Sequence, residues 1–337
     1  MPPRALSSTD PTCMTHPYHR AKPNCSTFEI PEVRCELLQS QRALYTLCCL
    51  ENEGNQRGVR QATALFLELV SDAFDENLHD LAEDVHNVCR WALRQEKPPQ
   101  NILETAILFA GVLLQHEQTA AAIPLLKSLQ TAPFTSRELR SLWAINSAVG
   151  FEKLTKLPND ELWTTAVQEM PLHRWQQYPS LAVGCRNLLR RLRQQHEDHG
   201  ELQSLLAAGP LAERAYAALT SRHVKATPFE RSGDAVRLLI EIGHTRHAWT
   251  EDAFGGLAIP SSTQVLEQSA ITAAVNTTED DLFPLTLTIL AQHYAKTGDR
   301  EKARDTAAQG LAEYAWCRHH DPKVIQALQL IFHSNTE

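Results

Sequence analysis

Apolar residues recur at helical spacing along most of this chain, and many of its prolines fall between the apolar stretches. The clearest stretch is Leu78–Leu93, which has apolar residues on one helical face at Leu81, Val85, Val88, Cys89 and Ala92. Such spacing is typical of an amphipathic α-helix. Because a proline inside a helix costs about 3 kcal/mol, the intervening prolines indicate where helices end. The pattern therefore predicts short helices joined by short loops.

The predicted helices share this spacing and are bounded by prolines or polar residues. They cover Val33–Leu50, Thr63–Phe74, Leu78–Leu93, Ile102–Gln115, Ala120–Leu129, Ser136–Val149, Glu161–Met170, Ser180–His196, Leu202–Ala207, Leu211–Thr220, Asp234–Ile242, Ser262–Val275, Leu282–Lys296, Arg300–Ala315 and Pro322–His333. Pro210 is predicted to separate two of these helices, and Pro124 predicts a kink or a later helix start. No run of alternating β-branched residues bounded by turn residues is present. The predicted fold class is all-α.

Composition and charge exclude several classes of function. Only 13 of the 337 residues are glycine, or 3.9%, against a usual share of ~7%. No GxGxxG, GxxxxGK[ST] or GxSxG motif is present. The formal net charge is −8, whereas chains that coat nucleic acid are usually basic, since counterion release drives that binding. We therefore expect no cofactor and no general nucleic-acid binding.

Targeting features and cysteine spacing favour a cytoplasmic location. The first 30 residues lack the apolar core of a signal peptide, and the longest apolar run, Ala106–Leu114, is shorter than the ~20 residues that span a membrane. The 8 cysteines form no CxxC pair and no regular framework, so a secreted disulfide scaffold is not indicated. We expect a soluble protein without a membrane span.

The first 31 residues differ from the rest, with six prolines and no helical period. We expect residues 1–31 to be a disordered leader and residues 32–335 to form one α-helical repeat domain. The leader contains four residues of the types that bind zinc, Cys13, His16, His19 and Cys25. Their spacing matches no familiar zinc motif, so we predict no metal site there.

The segment Leu287–Tyr314 has a more specific pattern than the other helical stretches. Two predicted helices flank a turn at Gly298, and the residues that define the pattern are Leu287, Leu290, Ala291, Tyr294, Ala303, Ala307, Gly310, Leu311 and Tyr314. Gly298 is suited to a left-handed helix end, and Asp299 to capping the next helix. The alanines allow two antiparallel helices to approach closely. This pattern resembles the tetratricopeptide repeat (TPR), and weaker matches begin near Phe109 and Leu239.

The resemblance implies an irregular TPR-like α-solenoid of antiparallel helix pairs, since one pair cannot bury its apolar face alone. It also implies a non-catalytic scaffold or adaptor, with a regulatory role as one option. Such a protein binds a segment of a partner protein or peptide in a concave groove. We therefore predict no catalytic residue, and protein–protein interaction as the function.

Two sets of polar residues are candidates for partner binding. Arg186, Arg190 and Arg193 form a helical stripe that is suited to phosphate or an acidic partner. The alternative is a solvated stripe, in which Glu197 pairs with Arg193. Gln292, His293 and Lys296 are candidates for lining the groove near the TPR-like pair.

Two alternatives to a scaffold are an all-α enzyme and part of a transcriptional regulator. Glu279, Asp280 and Asp281 are suited to magnesium in an all-α enzyme, although Thr278 and Asp281 fit a helix-capping box more simply. A third option is the sensor half of a transcriptional regulator.

Two histidine pairs have a spacing that places both rings on one helical face, namely His244 with His247 and His196 with His199. We interpret these as solvated or capping histidines rather than metal ligands.

Overall fold

The fold is known from a computed structural model in which most of the described residues are helical. The model describes residues 32–71, 75–221, 233–249, 255–275, 279–318 and 321–334. Within those ranges the chain forms fourteen α-helices and one short 3-10 helix, and it forms no strand. The all-α prediction is therefore confirmed. The leader 1–31 and its four potential zinc ligands lie outside the described residues.

The chain divides into two compact units, Met1–Glu169 and Met170–Glu337. The described helices of the first unit are α1 (Glu32–Asn52), α2 (Gln56–Ser71), α3 (Asp75–Leu93), α4 (Gln100–Gln115), α5 (Thr119–Ser128), α6 (Arg137–Thr155) and α7 (Asp160–Glu169). Each of these helices packs against the next one along the chain, except α2, which packs against α4. The pairs α1–α3, α3–α5 and α4–α6 are also in contact. Neighbours in sequence are thus neighbours in space.

The core of the first unit is built on α4, the most apolar of its helices. Ile102, Leu103, Phe109 and Leu113 of α4 are fully or almost fully buried. The Phe109 ring lies 5.7 Å from the ring of Phe66 on α2, within the usual range for aromatic pairs. Apolar contacts between helices thus stabilise this unit.

The second unit repeats the same succession of neighbours. It begins with the 3-10 helix Leu172–Gln177, and its described α-helices are α8 (Pro179–His199), α9 (Leu202–Thr220), α10 (Gly233–Ala248), α11 (Ser262–Ala274), α12 (Leu282–Thr297), α13 (Arg300–Tyr314) and α14 (Pro322–Ser334). Each helix packs against the next one, and α8–α10 and α12–α14 are also in contact. Apolar residues from α10, α11, α12 and α13 form one buried cluster.

The helix pair predicted around Gly298 is present as α12 and α13. Gly298 ends α12 in a left-handed conformation, with φ of 85°, which only glycine adopts without strain. The Asp299 side chain accepts a hydrogen bond from the amide of Lys302 at 3.2 Å and so caps α13. The three alanines of the pattern are fully buried, at Ala291, Ala303 and Ala307. The predicted turn and cap are therefore confirmed.

The two prolines expected to disturb helices do not end them. The predicted break at Pro210 is wrong, because α9 continues through it from Leu202 to Thr220. Leu205 and Leu211, on either side of Pro210, are both buried, so tertiary packing offsets the lost backbone hydrogen bond. Of the two alternatives at Pro124, the later start is wrong, since α5 begins at Thr119 and includes the exposed Pro124. The kink stays a prediction.

Two further expectations concern the whole chain. The single repeat domain over residues 32–335 stays a prediction. Among the described helices, none combines the length and the apolar character that crossing a membrane requires.

Close approach of a ring to a helix makes Gly209 a sensitive position. A Cβ added to Gly209 would lie 2.6 Å from Cη2 and 2.8 Å from Cε3 of the buried Trp249. The Trp249 ring is also held by a 2.8 Å hydrogen bond from its Nε1 to the carbonyl of Gly255. We expect Gly209→Ala to lower the free energy of unfolding by about 1–3 kcal/mol, as overpacking does, despite the better helix propensity of alanine.

Urea unfolding followed by circular dichroism measures this effect. The same substitution in a Trp249→Leu background is the control, because the smaller side chain leaves room for the new methyl group. There, Gly209→Ala is expected to be neutral or stabilising. Equal destabilisation in both backgrounds would show that the ring contact is not the cause.

Candidate functional site

Helix α8 presents three arginines beside its buried face. Leu181, Cys185, Leu188 and Leu192 are buried and form its apolar stripe. The predicted partner-binding residues lie farther around the helix, where Arg186 and Arg193 are half-buried and Arg190 is exposed. The helical period places Arg186 and Arg193 at the margin of the buried face and Arg190 on the outward side.

Two of the arginines bind one buried carboxylate on α10. Glu241 has a side chain that is only 3% exposed. Its Oε1 accepts a hydrogen bond from Nε of Arg193 at 2.9 Å, and its Oε2 accepts one from Nε of Arg190 at 3.3 Å. Arg193 also makes two bonds to Glu197, at 2.7 and 2.8 Å. A carboxylate buried this deeply needs such partners, because unpaired it would carry a large desolvation penalty.

Neighbouring charges continue this pattern toward the start of α10. Nη1 of Arg186 lies 3.8 Å from Oδ1 of Asp234, in the first turn of α10. Arg237, one turn further along α10, binds both carboxylate oxygens of Glu279. Glu279 comes just before α12. Ion pairs thus connect α8 to α10, and α10 to the segment that leads into α12.

Histidines make a second connection between α10 and α12. The ring of His293 on α12 is buried and meets the ring of His247 edge to face, with centroids 5.2 Å apart. His293 Nε2 shares a 3.0 Å hydrogen bond with the Thr263 hydroxyl of α11. Burial lowers the pKa of His293, and the nearby His247 and Lys296 act in the same direction. Both effects favour the uncharged form of the ring.

These contacts define a surface that we call the α8–α12 polar face. It consists of Arg186, Arg190, Arg193, Asp234, Arg237, Glu241, His244, Gln292, His293 and Lys296. The pKa of His244 is lowered first by burial, while Glu241 raises it and Arg193 and Lys296 lower it. Groups from α8, α10 and α12 therefore lie within electrostatic range of one another. Five of the six predicted partner-binding residues contact other members of this face or affect the pKa of one of them. The sixth, Gln292, belongs to the face because it is exposed and lies one helical turn before Lys296 on α12.

The predicted residues differ in how accessible they are. Arg190 is 52% exposed, and Gln292 and Lys296 are exposed. Arg186 and Arg193 are only 18% and 15% exposed, and they pack against α10 rather than forming a purely solvated stripe. The predicted pairing of Arg193 with Glu197 is confirmed. The role of all six residues in partner binding stays a prediction.

Sequence reasoning missed the acidic half of this face. Asp234 and Glu241 lie seven residues apart in α10, which is two helical turns, and they match the spacing of Arg186 and Arg193 on α8. That shared spacing is a pattern that could have indicated the pairing. Of the histidines, His244 is half-buried and His247 is exposed, while His196 and His199 lie in the last turn of α8.

The acidic cluster before α12 is divided among different partners. Glu279 pairs with Arg237, and the exposed Asp280 lies 3.7 Å from Nε of Arg318. Asp281 precedes α12 without a capping hydrogen bond from its side chain; Thr278, its partner in the predicted capping box, lies outside the described residues. Across the described part of the chain, no group of three or more His, Cys, Asp or Glu side chains is arranged to hold a metal ion.

The first unit has an apolar groove of its own, between α5, α6 and α7. Its volume is about 460 Å³, and its apolar lining residues are Ile123, Leu126, Trp143, Phe151, Leu154 and Leu162. Trp143 is fixed there by a 2.9 Å hydrogen bond from its Nε1 to the carbonyl of Leu126. None of the residues predicted from sequence lies in this groove.

Comparison of the chain with protein-family models, with curated proteins and with solved structures found no match.

The buried Glu241 carboxylate generates a stability prediction with an internal control. We expect Glu241→Ala to lower the free energy of unfolding by about 1–3 kcal/mol, because Nε of the mostly buried Arg193 loses its hydrogen-bond acceptor. Glu197 binds the same arginine from the surface, so Glu197→Ala should cost only about 0.3–0.5 kcal/mol. Chemical denaturation of the two variants measures the contrast. Similar losses for both would contradict a special role for the buried carboxylate.

The buried histidine generates a prediction about pH. Because the pKa of His293 is lower in the folded than in the unfolded chain, the unfolded chain binds protons more readily. Stability should therefore fall as the pH drops from about 7 through the ordinary histidine pKa of ~6.5 toward pH 5. His293→Asn should reduce this dependence, whereas substitution of the exposed His173 should leave it unchanged. Thermal melting as a function of pH tests this; an unaltered slope in His293→Asn would contradict it.

Proposed function

We propose that this protein is a non-catalytic helical-repeat scaffold that binds a segment of a partner protein along the α8–α12 polar face. The TPR-like pattern at Leu287–Tyr314 suggests this class of function, and the helix pair α12–α13 has the turn and cap that the pattern requires. In this proposal, each unit is an irregular α-solenoid of antiparallel helix pairs. Partner binding, rather than chemistry, is the role of the exposed charged groups.

The succession of helix contacts supports the solenoid interpretation. In an α-solenoid each repeat contacts only its neighbours, so contacts join helices that are adjacent or nearly adjacent in sequence. Among the described helices, the main contacts within each unit connect a helix to the next one or to the next but one. A bundle closed by its first and last helices would instead be expected to bring distant helices together.

The α8–α12 polar face is the single observation that carries the proposed binding role. It draws side chains from α8, α10 and α12, which are the first members of successive helix pairs in this interpretation. Arg190, Gln292 and Lys296 expose polar groups there, while Arg193 and Glu241 hold the surface in place from below. An extended segment that crosses the three helices would meet a rigid series of hydrogen-bonding groups.

Selection from a peptide library tests the proposal directly. A library of random 12-residue peptides is selected on the immobilised full chain, and affinities of the selected peptides are measured by fluorescence anisotropy. We expect the double variant Gln292→Glu, Lys296→Glu to weaken binding at least tenfold, because it reverses the charge at one end of the face.

Helix α14 offers a matched control. Lys323 and Gln326 have the same residue types and are exposed on the same unit. Lys323→Glu with Gln326→Glu should leave affinity within twofold of the original chain. Selected peptides that bind both double variants equally well, or a library that yields no binding peptide, would contradict the proposal.

A further inference from the structure

Arg186 has the weakest pairing of the four arginines on the α8–α12 polar face. Its closest acidic neighbour, Asp234, lies at 3.8 Å, which is too long for a hydrogen bond. Its other contacts are with the amide oxygen of Asn187, at 3.4 and 3.5 Å. By contrast, Arg193 makes three bonds to carboxylates at 2.9 Å or less. Arg186 is thus a largely covered cation whose donors are poorly satisfied.

Arg190 lies one turn along α8 from Arg186, and it has hydrogen-bond donors that are not in use. It contacts Glu241 only through Nε, and its two terminal nitrogens make no hydrogen bond to any residue that the structure describes. Side chains four residues apart lie side by side on a helix. Two guanidinium groups with available donors therefore face the same region of the surface.

The local charge balance also favours an added anion. Burial lowers the pKa of Arg186, and although Asp234 and Glu241 oppose this effect, Arg190 and Arg237 reinforce it. Of the acidic groups, Glu241 and Glu279 are already bound by Arg193 and Arg237. Asp234, the acidic group that acts most strongly on Arg186, is not held by a close hydrogen-bonded ion pair.

We propose that Arg186 and Arg190 form an anion subsite for an acidic side chain of the partner segment, and that Asp234 occupies this subsite weakly until the partner displaces it. The proposal rests on the proposed function, because it specifies what the partner segment presents to the α8–α12 polar face. The anion is a carboxylate or a phosphoryl group, since arginine binds both through paired N–H donors. Arg193 is assigned a positioning role, because its donors already hold Glu241 and Glu197.

The displaced carboxylate gives the proposal an unusual consequence. Asp234 competes with the incoming anion for Arg186, so its removal should strengthen binding rather than weaken it. An isosteric Asp234→Asn keeps the shape of the side chain and removes the competing charge. A merely structural role for Asp234 would produce no gain in affinity.

Three synthetic peptides of one design probe the subsite. Each has twelve residues in a repeated Gly-Ser-X frame, with X as glutamate, phosphoserine or glutamine, and binding to the full chain is followed by fluorescence anisotropy at low salt. We expect at least one of the two acidic peptides to bind at least tenfold more tightly than the glutamine peptide. The tighter of the two identifies the anion as a carboxylate or a phosphoryl group. Added salt should weaken this binding, as it screens exposed charges.

Variants locate the binding within the chain. Arg186→Gln and, separately, Arg190→Gln should weaken binding of the acidic peptide at least fivefold, and Asp234→Asn should tighten it at least threefold. The exposed neighbours Arg304 and Asp305 on α13 provide matched controls, so Arg304→Gln and Asp305→Asn should change affinity less than twofold. Melting temperatures show whether each variant is folded. The Asp234→Asn variant is a further safeguard, because misfolding would not produce an increase in affinity for the acidic peptide.

The outcomes separate this proposal from the proposed function. The anion subsite would be overturned if neither acidic peptide bound the original chain or the Asp234→Asn variant. Equal binding of an acidic peptide by all variants would overturn it as well. If library peptides nevertheless depend on Gln292 and Lys296, the broader binding face stands without the subsite. If acidic peptides depend on Arg186 while Gln292 and Lys296 have no effect, the subsite stands and the extended face does not.

Discussion

A short amphipathic helix buries only one stripe of its surface and is not stable alone in water. Each described helix therefore depends on neighbours, and its main contacts are with the next helix along the chain or the next but one. The consequence is strongest at α4 and α12, whose buried residues contact several other helices. Local connectivity of this kind leaves the outward positions of successive helices free to carry polar groups.

Burial of a charge within such an assembly has to be compensated locally. Glu241 lies among apolar residues of α10 and is accessible to almost no water, so two arginines of α8 are held beside it. This arrangement determines how α8 approaches α10, since the guanidinium groups must reach the carboxylate. Of these two arginines, Arg193 maintains the structure, whereas Arg190 has donors to spare.

Much of the fold could be predicted from the sequence, because helical spacing and capping are local properties. The turn at Gly298 and the cap at Asp299 are examples, since each depends on a few adjacent residues. Pro210 was misinterpreted because its helix is held by tertiary packing, which no local pattern reports. The three arginines were recognised as a group, but Asp234 and Glu241 are about fifty residues away, so their pairing needed the three-dimensional arrangement.

The contact between Trp249 and Gly209 limits how this protein can change over evolution. The indole ring lies where a side chain at position 209 would otherwise be, so the two positions share one fixed volume. In divergent descendants of this chain, a larger residue at 209 would be compatible with the same helix spacing only beside a smaller residue at 249. Paired substitution at these two sites would therefore trace the ancestry of the α9–α10 arrangement even where overall sequence similarity has been lost.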